Sequence, residues 1–298
     1  MSGFDLAAYL TERRRLVDEA LERVLPPEDA PPPTLHRAMR YSVMAGGKRL
    51  RPILVIAGCE AVGGRAEHVI PTACALELIH TYSLIHDDLP AMDDDDYRRG
   101  RLTSHKVFGD AIAILAGDAL LTLAFRLIAD NAARVGDARV ACDVVVEIAT
   151  AAGTDGMVGG QVADLESEGK TISAETLDYI HRHKTAALIR ASLRAGAMLA
   201  GATPEALHAI SAAGEGLGLA FQIVDDILDV EGNLEELGKT AGSDERKQKA
   251  TYPALHGLEA SRRRARVLID DAQLALEPLG AAARPIKALA DFVFERKS

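Results

Sequence analysis

Hydrophobic residues recur at spacings of three and four along most of the chain and nowhere alternate with polar ones over a sustained stretch. That is the period of amphipathic helices, not of half-buried strands. It predicts helices over Phe4–Val24, Leu35–Ala45, Ile53–Val62, Pro71–Asp88, Gly109–Asp130, Ala138–Ala152, and Ser173–Leu199 with a break. Another starts at Thr203-Pro204-Glu205, and Leu217–Val230, Tyr252–Leu276 and Ala282–Glu295 follow. Val144–Ile148 is β-branched enough for a strand, but no partner strand lies near it, so it is assigned to a helix. Strands are required nowhere. Pro26-Pro27 ends the first helix, Pro31, Pro32 and Pro33 keep the linker extended, and Thr34 is placed to cap the second. Gly46-Gly47 and Gly63-Gly64 sit where helices need left-handed stops.

Composition adds to this picture. The chain is alanine-rich, has no Trp and is only 4% aromatic, a bias toward helix formers and away from strand formers. No repeat period or flexible linker divides it, so residues 1–298 read as a single domain: an all-α helical bundle around a deep central cavity, where motifs distant in sequence can meet. The net charge of -10 argues against binding nucleic acid or an anionic membrane through the overall field. Cys59, Cys74 and Cys142 are odd in number and lack metal-ligand spacing, as expected of reduced packing thiols in a cytoplasmic protein. The most apolar stretch, Ala111–Phe125, is interrupted by Asp118 and the N-terminus carries no signal pattern, so no membrane anchor is expected.

Chemistry is concentrated in acids. Asp87, Asp88, Asp93, Asp94, Asp95 and Asp96 crowd into ten residues at the end of an apolar helix. Such a run can be a solvated loop, but here Asp87 and Asp88 close a buried element. Pro90 breaks the helix, so Asp93, about 240° around it from Asp87, can rejoin the pair only through a turn. Asp225, Asp226 and Asp229 form a second set inside a strongly apolar helix, with Asp225 and Asp229 on one face and Asp226 about 100° away, available for a different contact. Buried carboxylates need cations, and clustered oxygens suit Mg²⁺ with retained waters and a phosphate ligand. Basic residues stand in phosphate-friendly settings: Gly46-Gly47-Lys48-Arg49-Leu50-Arg51-Pro52, Arg98-Arg99-Gly100, Lys184-Thr185 and Gly238-Lys239-Thr240. Together the two charge types suggest metal-bridged diphosphate binding, with more phosphate sites than one ligand requires.

Leu84-Ile85-His86-Asp87-Asp88-Leu89-Pro90-Ala91-Met92-Asp93 followed by Arg98-Arg99-Gly100 resembles the first aspartate-rich motif of the trans-isoprenyl diphosphate synthases, and Asp225–Asp229 resembles their second. The likeness extends over Gly46–Pro52, Gly159-Gly160-Gln161 with Asp164, His181–Thr185, Phe221-Gln222 and Gly238–Asp244, in order along most of the chain. It implies the isoprenoid synthase type of bundle, a homodimer, three Mg²⁺ per site, and the joining of isopentenyl diphosphate to allylic diphosphates. It also implies roles. Asp87, Asp88 and Asp93 would hold metal from one wall and Asp225 from the other, with Asp164, Asp226 and Asp229 in support. Arg98, Lys184 and Lys239 would face the allylic diphosphate, Lys48, Arg51, His80 and Arg99 the isopentenyl diphosphate, and Thr185 and Gln222 the reacting carbons. Without the motif, His80 reads better as a satisfied core histidine.

The implied mechanism is ionisation of the allylic carbon–oxygen bond, attack by the isopentenyl double bond, and proton loss. Cations stabilise the leaving diphosphate, and no Ser-His-Asp arrangement is expected. Tyr82 lies about 7.5 Å of helix rise before Asp87, where with Ser83 it can floor the path of the growing chain. Thr81-Tyr82-Ser83 resembles members that stop at fifteen carbons, which makes farnesyl diphosphate the expected product and geranylgeranyl diphosphate the alternative. A terpene cyclase has little use for Lys48, Arg51 and His80, and a non-catalytic partner subunit is expected to have lost one acidic motif; both motifs stand here.

Overall fold

A computed structural model describes residues 4–231 and 251–296 of the chain, and it is built almost wholly of helices. They are α1 (Leu6–Val24), α2 (Pro33–Val43), α3 (Leu50–Ala61), α4 (Ile70–Asp87), α5 (Ser104–Phe108), α6 (Asp110–Val135), α7 (Ala138–Ala152), α8 (Met157–Ser167), α9 (Ala174–Ile180), α10 (Ala187–Leu199), α11 (Pro204–Glu231), α12 (Tyr252–His256), α13 (Leu258–Ala275) and α14 (Arg284–Glu295). A π-helical turn, His181–Ala186, joins α9 to α10.

Several starts follow local chemistry. The Asp5 carboxylate caps α1 by accepting from the Ala8 N–H at 2.9 Å, and Thr203 does the same for Ala206 at the head of α11. Other expectations are corrected. Thr34 does not cap α2, because Pro33 is already helical; its fixed φ suits a first helical position. Tyr252–Leu276 is two helices, divided at Gly257, whose φ of 80° is left-handed. Conversely, α11 is one 28-residue helix running unbroken through Gly214, Gly216 and Gly218. Packing overrides propensity there. The run Val144–Ile148 is helical within α7.

Strands do occur. Tyr97–Arg98 (β1) and Arg101–Leu102 (β2) pair antiparallel, the single ribbon among the described residues. Both loop residues, Arg99 (φ 53°) and Gly100 (φ 73°), have positive φ, the requirement of the tight turn that matches strand twist.

The core has two parts. One gathers Leu21, Ile56, Leu76, Ile79, Leu120, Ile128 and Ile148 from α1, α3, α4, α6 and α7. The other gathers Ile53, Leu54, Ile189, Leu217, Ile223, Ile269 and Leu289 from α3, α10, α11, α13 and α14. Helices α3 and α10 contribute to both, so α4 and α11, which carry the two acidic motifs, stand on opposite sides of a shared pair. Cys59 and Cys74 are buried free thiols; Cys142 is exposed, so it is not a packing residue. By length and composition Asp110–Asn131 and α11 are both apolar enough to cross a membrane, so Asp118 does not shorten the apolar stretch as far as expected. Most of α11 is buried inside the protein.

Candidate diphosphate and metal site

The end of α4 builds the first acidic wall. Asp88 closes the helix, its N–H donating to Leu84 O at 3.1 Å, and the chain then turns so that the Asp93 N–H reaches the Asp87 carbonyl at 2.8 Å. The turn required by Pro90 thus brings Asp93 back to the pair. Burial, with the charges of Asp93 and Asp88, raises the Asp87 carboxyl to about 6, against the opposing pull of Lys184 and Arg98. Burial also raises Asp88, although the Arg98 guanidinium donates to its Oδ1 at 2.6 Å. Arg98 reaches it from the β1–β2 ribbon, which is what the tight turn positions.

The second wall lies in α11. Asp225 accepts from the Arg296 guanidinium at 3.2 Å, Asp229 is buried, and Asp226 is used by the fold itself. Its Oδ1 accepts from Gln222 Nε2 at 3.0 Å and its Oδ2 from the Tyr252 N–H at 2.8 Å, with His181 Nε2 3.3 Å away. The different contact expected of Asp226 is therefore inward.

Between the walls stands the π turn. Its extra residue per turn carries Lys184 and Thr185, and such bulges favour functional positions. Two glycines let neighbours reach its backbone: a Cβ on Gly160 would lie 2.2 Å from Lys184 N, and one on Gly218 2.6 Å from Ala186 Cα. One turn beyond Gly160, Asp164 meets Lys184 Nζ at 2.5 Å. Thr185 Oγ1 donates to Gln222 Oε1 at 2.8 Å.

Positive charge is gathered on the other side. Burial, followed by the nearby Arg51 and Arg99 guanidiniums, drives the His80 imidazole well below its usual range. Arg51 is pushed down to about 10 by burial and by Arg99, and its Nε is buried without a partner. Arg99 is lowered mainly by burial. Lys48 stands apart from these, beside Arg296 and Asp225 of the second wall: burial and Arg296 lower it, and Asp225 opposes them. The close approach expected at Gly46-Gly47 belongs to Arg99: its guanidinium donates to Gly46 O, and a Cβ on Gly47 would sit 2.5 Å from its Cζ. Arg49, from the same motif, is spent inside the fold on Asp18 (2.8 Å), Glu77 (2.7 Å) and Val43 O (2.8 Å).

Tyr82 is buried and packs edge-on to His86 at 5.7 Å, while the Ser83 hydroxyl donates to His80 O within its own helix. Lys239 and the rest of Gly238–Asp244 lie outside the described residues. Two residues were not singled out from sequence. Arg296 stacks over the Phe221 ring at 4.0 Å and carries no local motif that could reveal it. Gln161, inside a motif but assigned no role, has both amide atoms buried without partners.

A divalent cation fits the donor set: the walls offer oxygen ligands only, and burial holds the Asp87 and Asp88 carboxyls of the first wall up, which a cation would relieve. Among the described residues, the tightest carboxylate and histidine group is a different one. Asp94, Asp96 and His105 offer ligand atoms within 4.8 Å of one another, but the Lys106 ammonium pairs with Asp96 at 2.7 Å and supplies the positive charge there.

A family model described as polyprenyl synthetase matches residues 32–275. A dimethylallyltranstransferase of Fischerella ambigua is 52% identical over 294 residues, 98% of this chain and 84% of that protein. A geranylgeranyl diphosphate synthase of Cyanophora paradoxa is 46% identical over 100% of this chain and 98% of its own, and a farnesyl diphosphate synthase of Geobacillus stearothermophilus 47% identical over 92% of each. A solved FPP/GFPP synthase from Zymomonas mobilis superposes with a TM-score of 0.87 at 37% identity, covering 97% of this chain and 98% of that one.

Proposed function

The chain belongs to the polyprenyl synthetase family, and we propose that it condenses isopentenyl diphosphate with dimethylallyl and then geranyl diphosphate to make farnesyl diphosphate. Prenyl transfer itself follows from the family and its relatives; the length of the product is the further step. The observation that carries the reading is electrostatic. On one side carboxyls are raised and favour a cation, and on the other basic groups are lowered and favour an anion. A diphosphate bridged by metal satisfies one side, and a second diphosphate the other.

Bound magnesium would supply positive charge to the departing allylic diphosphate, held by Asp87, Asp88, Asp93 and Asp225, with Asp164 and Asp229 close behind. Lys184 and Arg98 add charge of their own to that leaving group. Arg51, Arg99, His80 and Lys48 receive the isopentenyl diphosphate, and Lys239 joins the allylic side. Tyr82 supports the fifteen-carbon product, because its ring is buried in α4 about one and a half turns before the acidic end. The geranylgeranyl alternative rests on the Cyanophora relative.

On the same reading the enzyme works in the cytoplasm as a homodimer, in which a second copy covers Ile114 and Leu115, 44% and 53% exposed on α6. Purified protein with Mg²⁺, labelled isopentenyl diphosphate and dimethylallyl diphosphate tests the function. Fifteen-carbon product is expected, twenty-carbon product selects the alternative, and no elongated product rejects both. Tyr82→Ala lengthens the product; an unchanged chain length rejects the floor.

A further inference from the structure

As a carboxylate Asp226 can only accept hydrogen bonds, and that fixes the direction of every bond in the chain it ends. The Gln222 amide must turn its NH₂ to Asp226 Oδ1 (3.0 Å), so its Oε1 faces Thr185. The Thr185 hydroxyl must then donate its proton to Oε1, 2.8 Å away. A hydroxyl has one proton, which leaves Thr185 only lone pairs for any other neighbour. The far end is anchored too: the Tyr252 N–H, a backbone donor that cannot reverse, holds Asp226 Oδ2 at 2.8 Å.

We propose that Asp226 is a positioning residue which, through Gln222, turns the Thr185 hydroxyl so that it offers lone pairs to an electron-poor carbon and no proton to a diphosphate oxygen. The proposal rests on the prenyl-transfer reading, in which the centre beside Thr185 and Lys184 becomes an allylic cation. Lys184 and Arg98 already serve the leaving diphosphate, so what Thr185 adds there is its lone pairs, directed at the cation. Asp226 therefore acts on the reaction through two other side chains. Both its oxygens already have donors from this chain, so no metal is needed to satisfy it.

Asp226→Asn is isosteric and reverses the chain. Tyr252 N–H forces the Asn amide oxygen toward itself, so the Asn NH₂ faces Gln222, Gln222 must flip, and its NH₂ then donates to Thr185. The expected result is a kcat lower by about tenfold or more, with KM for both diphosphates within about twofold of wild type. Binding of inorganic pyrophosphate with Mg²⁺, measured by calorimetry, stays unchanged. Thr185→Val causes a similar loss, and the double variant loses no more than either single one, because both break one chain. Wild-type kcat in Asp226→Asn, additive losses, or pyrophosphate affinity lost in step with turnover would each overturn the proposal. Should Asp226→Asn fail to fold, Gln222→Met takes its place under the same non-additivity criterion. If the wild type makes no elongated product, the prenyl-transfer reading fails instead. The chain is then judged by the Gln222 side-chain amide resonances, which must shift in Thr185→Val; unmoved resonances overturn it.

Discussion

The acidic walls and the basic pocket differ in how far the fold itself balances their charge. On the acidic side Asp88 has Arg98 at 2.6 Å, Asp164 has Lys184 at 2.5 Å, Asp225 has Arg296 at 3.2 Å, and Asp226 has donors from Gln222 and Tyr252. On the basic side burial lowers Arg51, Arg99 and His80, and neighbouring guanidiniums lower each of them further. Arg49 shows what complete pairing looks like two residues from Arg51: three partners, two of them carboxylates, and a raised pKa in spite of burial. The fold thus pairs Arg49 and leaves Arg51 for a ligand, while the acidic walls are paired only in part, since burial still holds Asp87 and Asp88 above the usual carboxylate range.

The widest gap between the two regions is in turnover. Asp88→Ala and Asp225→Ala should each lower kcat by about 10³ or more, as expected when charge stabilisation of a leaving group is lost. Steady-state assays check this, and near-wild-type rates would reduce the acidic walls to ordinary ion pairs. Next comes stability. Arg49→Met strands Glu77, which is 1% exposed, and should cost about 3–5 kcal/mol in urea denaturation. Arg51→Met should cost no stability, since it removes a cation the apo fold does not balance, yet raise KM for isopentenyl diphosphate about 10- to 100-fold through lost charge-assisted bonds. Equal stability losses at Arg49 and Arg51 would erase the distinction.

How much of this was legible in the sequence depends on range. The apolar period revealed α4 and α11, and the spacing within each motif placed Asp93 through its turn and set Asp226 apart from Asp225 and Asp229. Those are local facts of helix geometry. The helix α8 was missed because Gly153, Gly156, Gly159 and Gly160 dilute the pattern at its start, although Gly160 is what lets the π turn pack closely. The β1–β2 ribbon was missed because two-residue strands show no period, though Arg99-Gly100 was a turn signal. Arg296 pairs with Asp225 across 71 residues, and Arg49 with Glu77 across 28; no periodicity reports which arginine of a basic run turns inward.

The smallest effect gives the acidic walls their own test in the absence of ligand. The folded Asp87 pKa, raised mainly by burial to about 6, stands above the usual carboxylate value of 3.8. The folded state therefore holds this proton more tightly than the unfolded chain, and stability falls as pH rises through that interval. Above about pH 6 the penalty is fully present; below about pH 4 it is absent. Asp87 is only partly buried, so the penalty is discounted for solvent to about 1–2 kcal/mol. Asp87→Asn should thus be the more stable protein at pH 7, and the difference from wild type should shrink between pH 6 and pH 4 in paired urea titrations. Mg²⁺ with pyrophosphate should stabilise the wild type more than the variant, because a bound cation also removes the penalty that the amide lacks. A difference that grows on acidification would mean that Asp87 is already balanced, and that the acidic walls need no ligand to complete them.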